Sequence, residues 1–164
     1  DLDALFSYAG SESNTKYMSF STHTSREDTR RFLALEEENA LSGHQYNWGI
    51  VGGERGRLMG TVGISRIEAG SGELGYILHR EFWGKGYATE AASQVMEFAF
   101  RTVALERLHA YAQVGNDASV RVLKKLGMRY LGIEEQHTLR SPEPVPSHHF
   151  ELLRSEYLRG QEES

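Results

Sequence analysis

Residues Gly84-Lys85-Gly86-Tyr87-Ala88 set two glycines one residue apart, just ahead of an apolar pattern with helical spacing. A helix start leaves backbone N–H groups unpaired and carries partial positive charge, and glycine lets those groups come close to an anion. The pattern suits a phosphate or pyrophosphate; by itself it also suits a tight turn between a strand and a helix. Two better-known phosphate patterns fail. The dinucleotide fingerprint needs a third glycine three residues after the second, where Thr89 stands. A Walker loop needs Ser or Thr after its Gly-Lys and a glycine five residues before that pair; here Gly86 follows Lys85 and His79 holds the earlier place. His148-His149 lacks the spacing of a helical metal pair, and a strand sends neighbours to opposite faces, so no metal is expected. Ser65 lacks the Gly-x-Ser-x-Gly elbow of a serine nucleophile. Tyr17, Met18, Tyr46 and Trp48 are candidates for an apolar pocket wall, or for plain core.

The elements that must position the loop can be read from periodicity and turn residues. Ser25 with Asp28, or Thr24 with Glu27, marks a helix start, and Phe32, Leu33, Leu35 and Leu41 make a loose stripe behind it. Tyr46 to Val51 and Arg57 to Ile67 read as a hairpin turning at Gly52-Gly53-Glu54-Arg55-Gly56. Glu73 to His79 reads as a third strand. Ala88, Ala91, Ala92, Val95, Ala99 and Val103 share one face of a helix predicted from about Tyr87 to Thr102. Leu108 to Gln113 alternates as a strand should. Asn116 or Asp117 caps a short helix that stops at Gly127. Tyr130 to His137 and His148 to Arg154 close the order, joined by Ser141-Pro142-Glu143-Pro144-Val145-Pro146, which reads as an exposed connection holding all three prolines. The result is a mixed α/β domain around one twisted sheet.

Composition narrows the partners. The chain has 164 residues, enough for one domain with a real core. It has no cysteine, which removes disulfides, thiolate zinc sites and a cysteine nucleophile, and fits a cytoplasmic setting. The formal net charge of -5 argues against a nucleic-acid partner and mildly favours a cationic one. No apolar run is long enough to cross a bilayer.

Four segments taken together are more specific than any one of them. They are Glu73-Leu74-Gly75-Tyr76-Ile77-Leu78, Trp83-Gly84-Lys85-Gly86-Tyr87-Ala88-Thr89-Glu90-Ala91, Asn116-Asp117-Ala118-Ser119 and Lys124-Lys125-Leu126-Gly127-Met128. In this order they closely resemble the GNAT superfamily of N-acetyltransferases, and specifically its RimJ/RimL-type branch. The resemblance runs from about Tyr46 to Leu153. Trp83 holds the place where the superfamily often has Gln or Arg, as in many sequences of that branch. The family's first strand is not evident before Phe6, and residues 155–164 read as a flexible tail.

The resemblance implies a central mixed sheet splayed at a cofactor site, with helices on both faces, and acetyl-CoA as acyl donor. Backbone groups of Tyr76, Ile77 and Leu78 would pair with pantetheine. Trp83, Gly84, Lys85, Gly86, Tyr87, Ala88 and Thr89 would hold the pyrophosphate. Asn116 and Ser119 would face the thioester, and Lys124 or Lys125 the 3′-phosphate; an exposed helix face is the plainer role for both lysines. The implied reaction is direct attack of a primary amine, with Glu73 as base and Ser119 as the acid that protonates the leaving thiolate. A strand end and a helix cap are the ordinary roles of those two residues. The position matching a second family base is Thr138, which cannot serve; Glu135 and His137 are its neighbours. The acceptor would be a protein or peptide N-terminus, or a small amine such as an amino acid, polyamine or antibiotic. A homodimer is implied by the same resemblance. The competing reading is a non-catalytic acyl-CoA-binding module or sensor.

Overall fold

A computed structural model describes residues 2–18, 20–52 and 56–162. Three antiparallel strands come first: β1 (Tyr46–Gly52), β2 (Arg57–Glu68) and β3 (Ser71–Leu78). β4 (Arg107–Gln113) then runs parallel to β3, and the hairpin of β5 (Arg129–Thr138) and β6 (Ser141–Leu153) completes a six-stranded mixed sheet in the order β1-β2-β3-β4-β6-β5. The expected turn residues Gly53 to Arg55 lie outside the described residues. No strand precedes β1 among the described residues.

One face of the sheet carries α4 (Tyr87–Glu97) and α5 (Asp117–Lys125). Ala92, Val95, Met96 and Ala99 pack there on Val62, Ile64, Leu74, Leu108, Ala110 and Phe150. Those strand residues alternate as expected, and burying them drives the two layers together. The predicted helix to Thr102 ends in a wider turn: Phe98–Thr102 is π-helical, with the Val103 N–H on the Phe98 carbonyl at 3.0 Å.

The other face carries α1 (Leu2–Ala9), α2 (Glu12–Thr15) and α3 (Arg26–Leu41). Leu5, Tyr8 and Ala9 of α1 close on Ile77, with Met18, Phe20 and Phe32 around them. α3 starts at the expected capping box: Ser25 Oγ accepts the Asp28 N–H and the Asp28 carboxylate accepts the Ser25 N–H. Its predicted stripe is only partly used, because Leu33, Leu35 and Leu41 are exposed.

Two expectations are corrected at the C-terminal end. The proline run is part of β6, not a connection, with Glu135↔Pro146 and Gln136↔Val145 in the β5 ladder. The Pro146 carbonyl accepts the Val114 N–H at 3.0 Å. Pro142 and Pro144 fall in the irregular stretch between the Gln136↔Val145 and Thr138↔Ser141 pairs, and β4 ends earlier, at Gln113 opposite Ser147, so their missing N–H costs no ladder bond. Residues Arg154–Glu162 form α6 where a tail was expected; Tyr157 packs on Phe100 with ring centroids 5.0 Å apart.

Candidate functional site

β3 and β4 are paired over only three positions, Ser71↔Arg107, Gly72↔Leu108 and Glu73↔His109, and then part. From Leu74 onward one edge of β3 faces a cleft, while its other edge stays bonded to β2 through Ile77↔Thr61 and Leu78↔Gly60. The cleft has a volume of about 500 Å³ and runs through the sheet from the α4/α5 face to the α1/α3 face. Tyr76, Ile77 and Leu78 therefore lie on the open edge. The Leu78 carbonyl is already engaged by the Trp83 indole N–H at 2.7 Å, which pins the loop to the strand end.

Gly84 (φ 73°) and Gly86 (φ 86°) both take left-handed backbone conformations, and a Cβ at either would meet no neighbouring atom within 4 Å. Gly86 is the N-cap of α4, so the N–H groups of Tyr87, Ala88 and Thr89 belong to the unpaired first turn. An unobstructed, positively polarised cradle opens on the cleft, which Gly84, Gly86, Tyr87, Ala88 and Thr89 all line. This geometry fits a diphosphate. Lys85 stands aside, with its ammonium 5.6 Å from the Phe82 ring centre. On α5, Arg121 and Lys125 line the cleft, whereas Lys124 is exposed and does not.

Across the cleft Asn116 caps α5, its Oδ1 accepting the Ser119 N–H at 3.2 Å. Ser119 Oγ lies 2.9 Å from Tyr76 Oη, so one hydrogen bond between hydroxyls joins β3 to α5 across the cleft. Burial pushes the Tyr76 phenol up to about 12, against the lowering effect of the Ser119 bond. Both groups therefore stay protonated near neutral pH and can donate.

Glu73 sits where the strands part, three residues from Tyr76, and alternation points it to the opposite face. Its carboxylate accepts from Arg66 at 2.8 Å. Burial raises its pKa above the usual carboxylate value, and the Arg66 charge and hydrogen bond pull it back. A chain of polar groups approaches the same spot along β4 and β6: His149 Nε2 is 2.8 Å from His109 Nδ1, His149 Nδ1 is 2.8 Å from Glu134, and Tyr111 stacks on His149 at 4.6 Å. His109 is the register partner of Glu73. Burial and the neighbouring His149 hold His109 below the usual imidazole value.

Tyr17 and Met18 line the cleft, but Tyr46 and Trp48 lie on the other face against Phe98, with ring centroids 5.3 and 5.0 Å from it. Gln136, His137 and Thr138 of β5 line the cleft, and Glu135 does not. His148 and His149 diverge as the strand requires, and no metal-binding group of acids and histidines occurs among the described residues. No helix among them is long and apolar enough to cross a membrane. Sequence reasoning gave the Tyr76 hydroxyl, Arg66, Tyr111, His109 and His149 no role. The alternation of His109, Tyr111 and Gln113 was the one available signal, since it sets those side chains on one face.

The family described as acetyltransferase (GNAT) domain matches residues 1–129. An uncharacterized N-acetyltransferase of Bacillus licheniformis is 29% identical over 159 residues, covering 96% of this chain and 89% of the relative. A GNAT-family acetyltransferase of Bacillus anthracis superposes with a TM-score of 0.81 at 24% identity, over 94% of this chain and 90% of that one. A spermidine N-acetyltransferase of Vibrio cholerae, solved with CoA and spermine, gives a TM-score of 0.81 at 18% identity, over 96% and 92%.

Proposed function

The chain belongs to the acetyltransferase (GNAT) domain family and is an acyltransferase, and from that premise we propose that it moves an acetyl group from acetyl-CoA to a primary amine by direct attack. The observation that carries the proposal is the Tyr76–Ser119 hydrogen bond across the cleft, beside the Gly84–Gly86 cradle and opposite Glu73.

We assign the N–H groups at the start of α4 to the pyrophosphate, the open edge at Tyr76–Leu78 to pantetheine, and Lys125, Arg121 or Lys124 to the 3′-phosphate. Bound acetyl-CoA supplies an activated thioester. Glu73 and Tyr76 then flank the gap from opposite faces. On one face Glu73 accepts the proton that the attacking nitrogen must lose, directly or through water. On the other face Ser119, hydrogen-bonded to Tyr76, donates to the sulfur as the C–S bond breaks. An N-terminal α-amino group, with a pKa near ~8, needs little help from this base, while a lysine amine near ~10.4 needs more.

Trp83 at the head of the loop and the Asn116–Ser119 cap support placement in the RimJ/RimL-like branch, and with it a homodimer. The acceptor is a peptide N-terminus or a small amine. Free-thiol release from acetyl-CoA, followed across a panel of amines and N-terminal peptides, tests the proposal. Amine-dependent release is expected; tight coenzyme binding with no release for any acceptor would replace the enzyme by a sensor of acyl-CoA.

A further inference from the structure

On the α1/α3 face, the strands beside the splay point leave a trough that is open at Gly75 and closed at its far end by the Asn47 side chain over Gly63. Asn47, Gly63 and Gly75 are successive register partners across β1, β2 and β3, and therefore share a face. A Cβ at Gly75 would meet nothing within 4 Å. A Cβ at Gly63 would fall 1.7 Å from Asn47 Oδ1, so the Asn47 side chain lies across the space that Gly63 leaves open. Two residues along β3 from Glu73 to Gly75, and one interstrand spacing from Gly75 to the Asn47 amide, make a path of roughly 10 Å. Ile77 rises beside Gly75, and Met18, Phe20 and Phe32 form the roof, all of them lining the same cleft.

The two ends differ. At the splay point stands Glu73 with its own cation, Arg66. At the far end Glu36 of α3 faces the cleft. One of its oxygens, Oε2, accepts from both Gln45 Nε2, at 2.6 Å, and Asn47 Nδ2. Two neutral amides fix that carboxylate without neutralising it, and no basic side chain pairs with it among the described residues. The other basic residues of the cleft, Arg121 and Lys125, belong to α5 on the coenzyme side. A fixed, uncompensated carboxylate at the end of a trough roofed by apolar side chains attracts a cation and fixes its distance from the reacting centre.

We propose that Glu36 binds a second cationic group of the acceptor, so that the preferred substrate is an amine joined by an apolar linker of roughly 10 Å to a distal ammonium. This rests on the acetyl-transfer reading and deepens it by naming the acceptor class. The distal cation is taken by Glu36 Oε1, the linker lies over Gly75 and against the Asn47 side chain, and the near amine arrives beside Glu73.

The test compares α,ω-diamines of increasing length with n-alkylamines of matched length as acceptors, using the full chain and Glu36→Gln, with thiol release as readout. Glutamine keeps the size of the side chain and can still accept from both amides. In the wild type, kcat/KM is expected to peak for diamines near the length of the trough and to exceed that of the matched monoamine. Glu36→Gln is expected to lower the diamine-to-monoamine ratio by about 10–100-fold, the range of a lost charge-assisted bond. Equal kcat/KM for diamines and monoamines in the wild type, or a ratio unchanged in Glu36→Gln, overturns the inference and leaves acetyl transfer standing. No thiol release with any amine overturns acetyl transfer and the inference together.

Discussion

At the scale of single residues, the proposed transfer relies on two hydroxyls and one carboxylate. The Tyr76 hydroxyl meets both the hydroxyl and the backbone carbonyl of Ser119, so the two residues act as a unit. Tyr76→Phe and Ser119→Ala are each expected to lower kcat by about 10²-fold, at the low end for loss of a general acid. The double variant is expected to fall little further, because the second change removes a bond already lost. A KM for acetyl-CoA that moves as much as kcat would assign the pair to binding instead. Glu73 is governed by burial, which raises its pKa, and by Arg66, which lowers it. A base must be ionised, so kcat/KM should rise with pH through the Glu73 pKa. Arg66→Gln removes the influence that favours the carboxylate, so the acidic limb should move to higher pH. Two acceptors with different amine pKa values separate the limbs, since the limb they share belongs to the enzyme and the other moves with the amine. A limb left in place by Arg66→Gln would remove Glu73 as the base. Glu73, Ser119 and Asn116 were legible in the sequence because each sits at the end of a readable element. The Tyr76 hydroxyl was not, since its partner is 43 residues away and only the splay brings the two together.

At the scale of elements, strong periodicity was enough for β2, β3, α4 and β4, and the Ser25–Asp28 box located α3. α1 and α2 escaped because eight and four residues are too few to show a period, and their partners are distant in the chain: Ile77 and Thr61 for α1, Arg80 and Arg140 for α2. The prolines of β6 pointed to a loop because proline removes a donor. The fold tolerates Pro142 and Pro144 because they fall where β6 is irregular and has no ladder partner on β5 or β4. The loop before α4 makes the clearest prediction at this scale. Gly86 caps the helix at φ 86°, where a Cβ costs about 1–2 kcal/mol in backbone strain but meets no packed atom. Gly86→Val is therefore expected to fold with a loss of that order in denaturant unfolding. Its side chain would stand where the anion approaches, so the KM for acetyl-CoA should rise at least about tenfold, equivalent to one lost hydrogen bond. An unchanged KM in the folded variant would move the pyrophosphate off this loop.

The whole molecule is a sheet joined loosely at its centre. β1, β2 and β3 form one half under α1 and α3, and β4, β6 and β5 form the other beside α5. Three register pairs, the packing of α4 across both halves and the Tyr76–Ser119 bond hold them together. Acetyl-CoA placed in the gap would touch both halves and complete the open edge of β3. A ligand that binds only the folded state at 100 times its Kd adds about 2.7 kcal/mol. For a chain of this size each kcal/mol is worth about 2–4 °C, so Tm should rise by about 5–11 °C. The gain should also be localised. Amide exchange should slow at residues 74–78 and 110–113, the two edges that face the gap, more than in the β1–β2 hairpin, whose ladder is complete without ligand. A rise in Tm with no added protection along those edges would mean that the coenzyme binds outside the splay. The two halves would then have to meet around the acceptor alone.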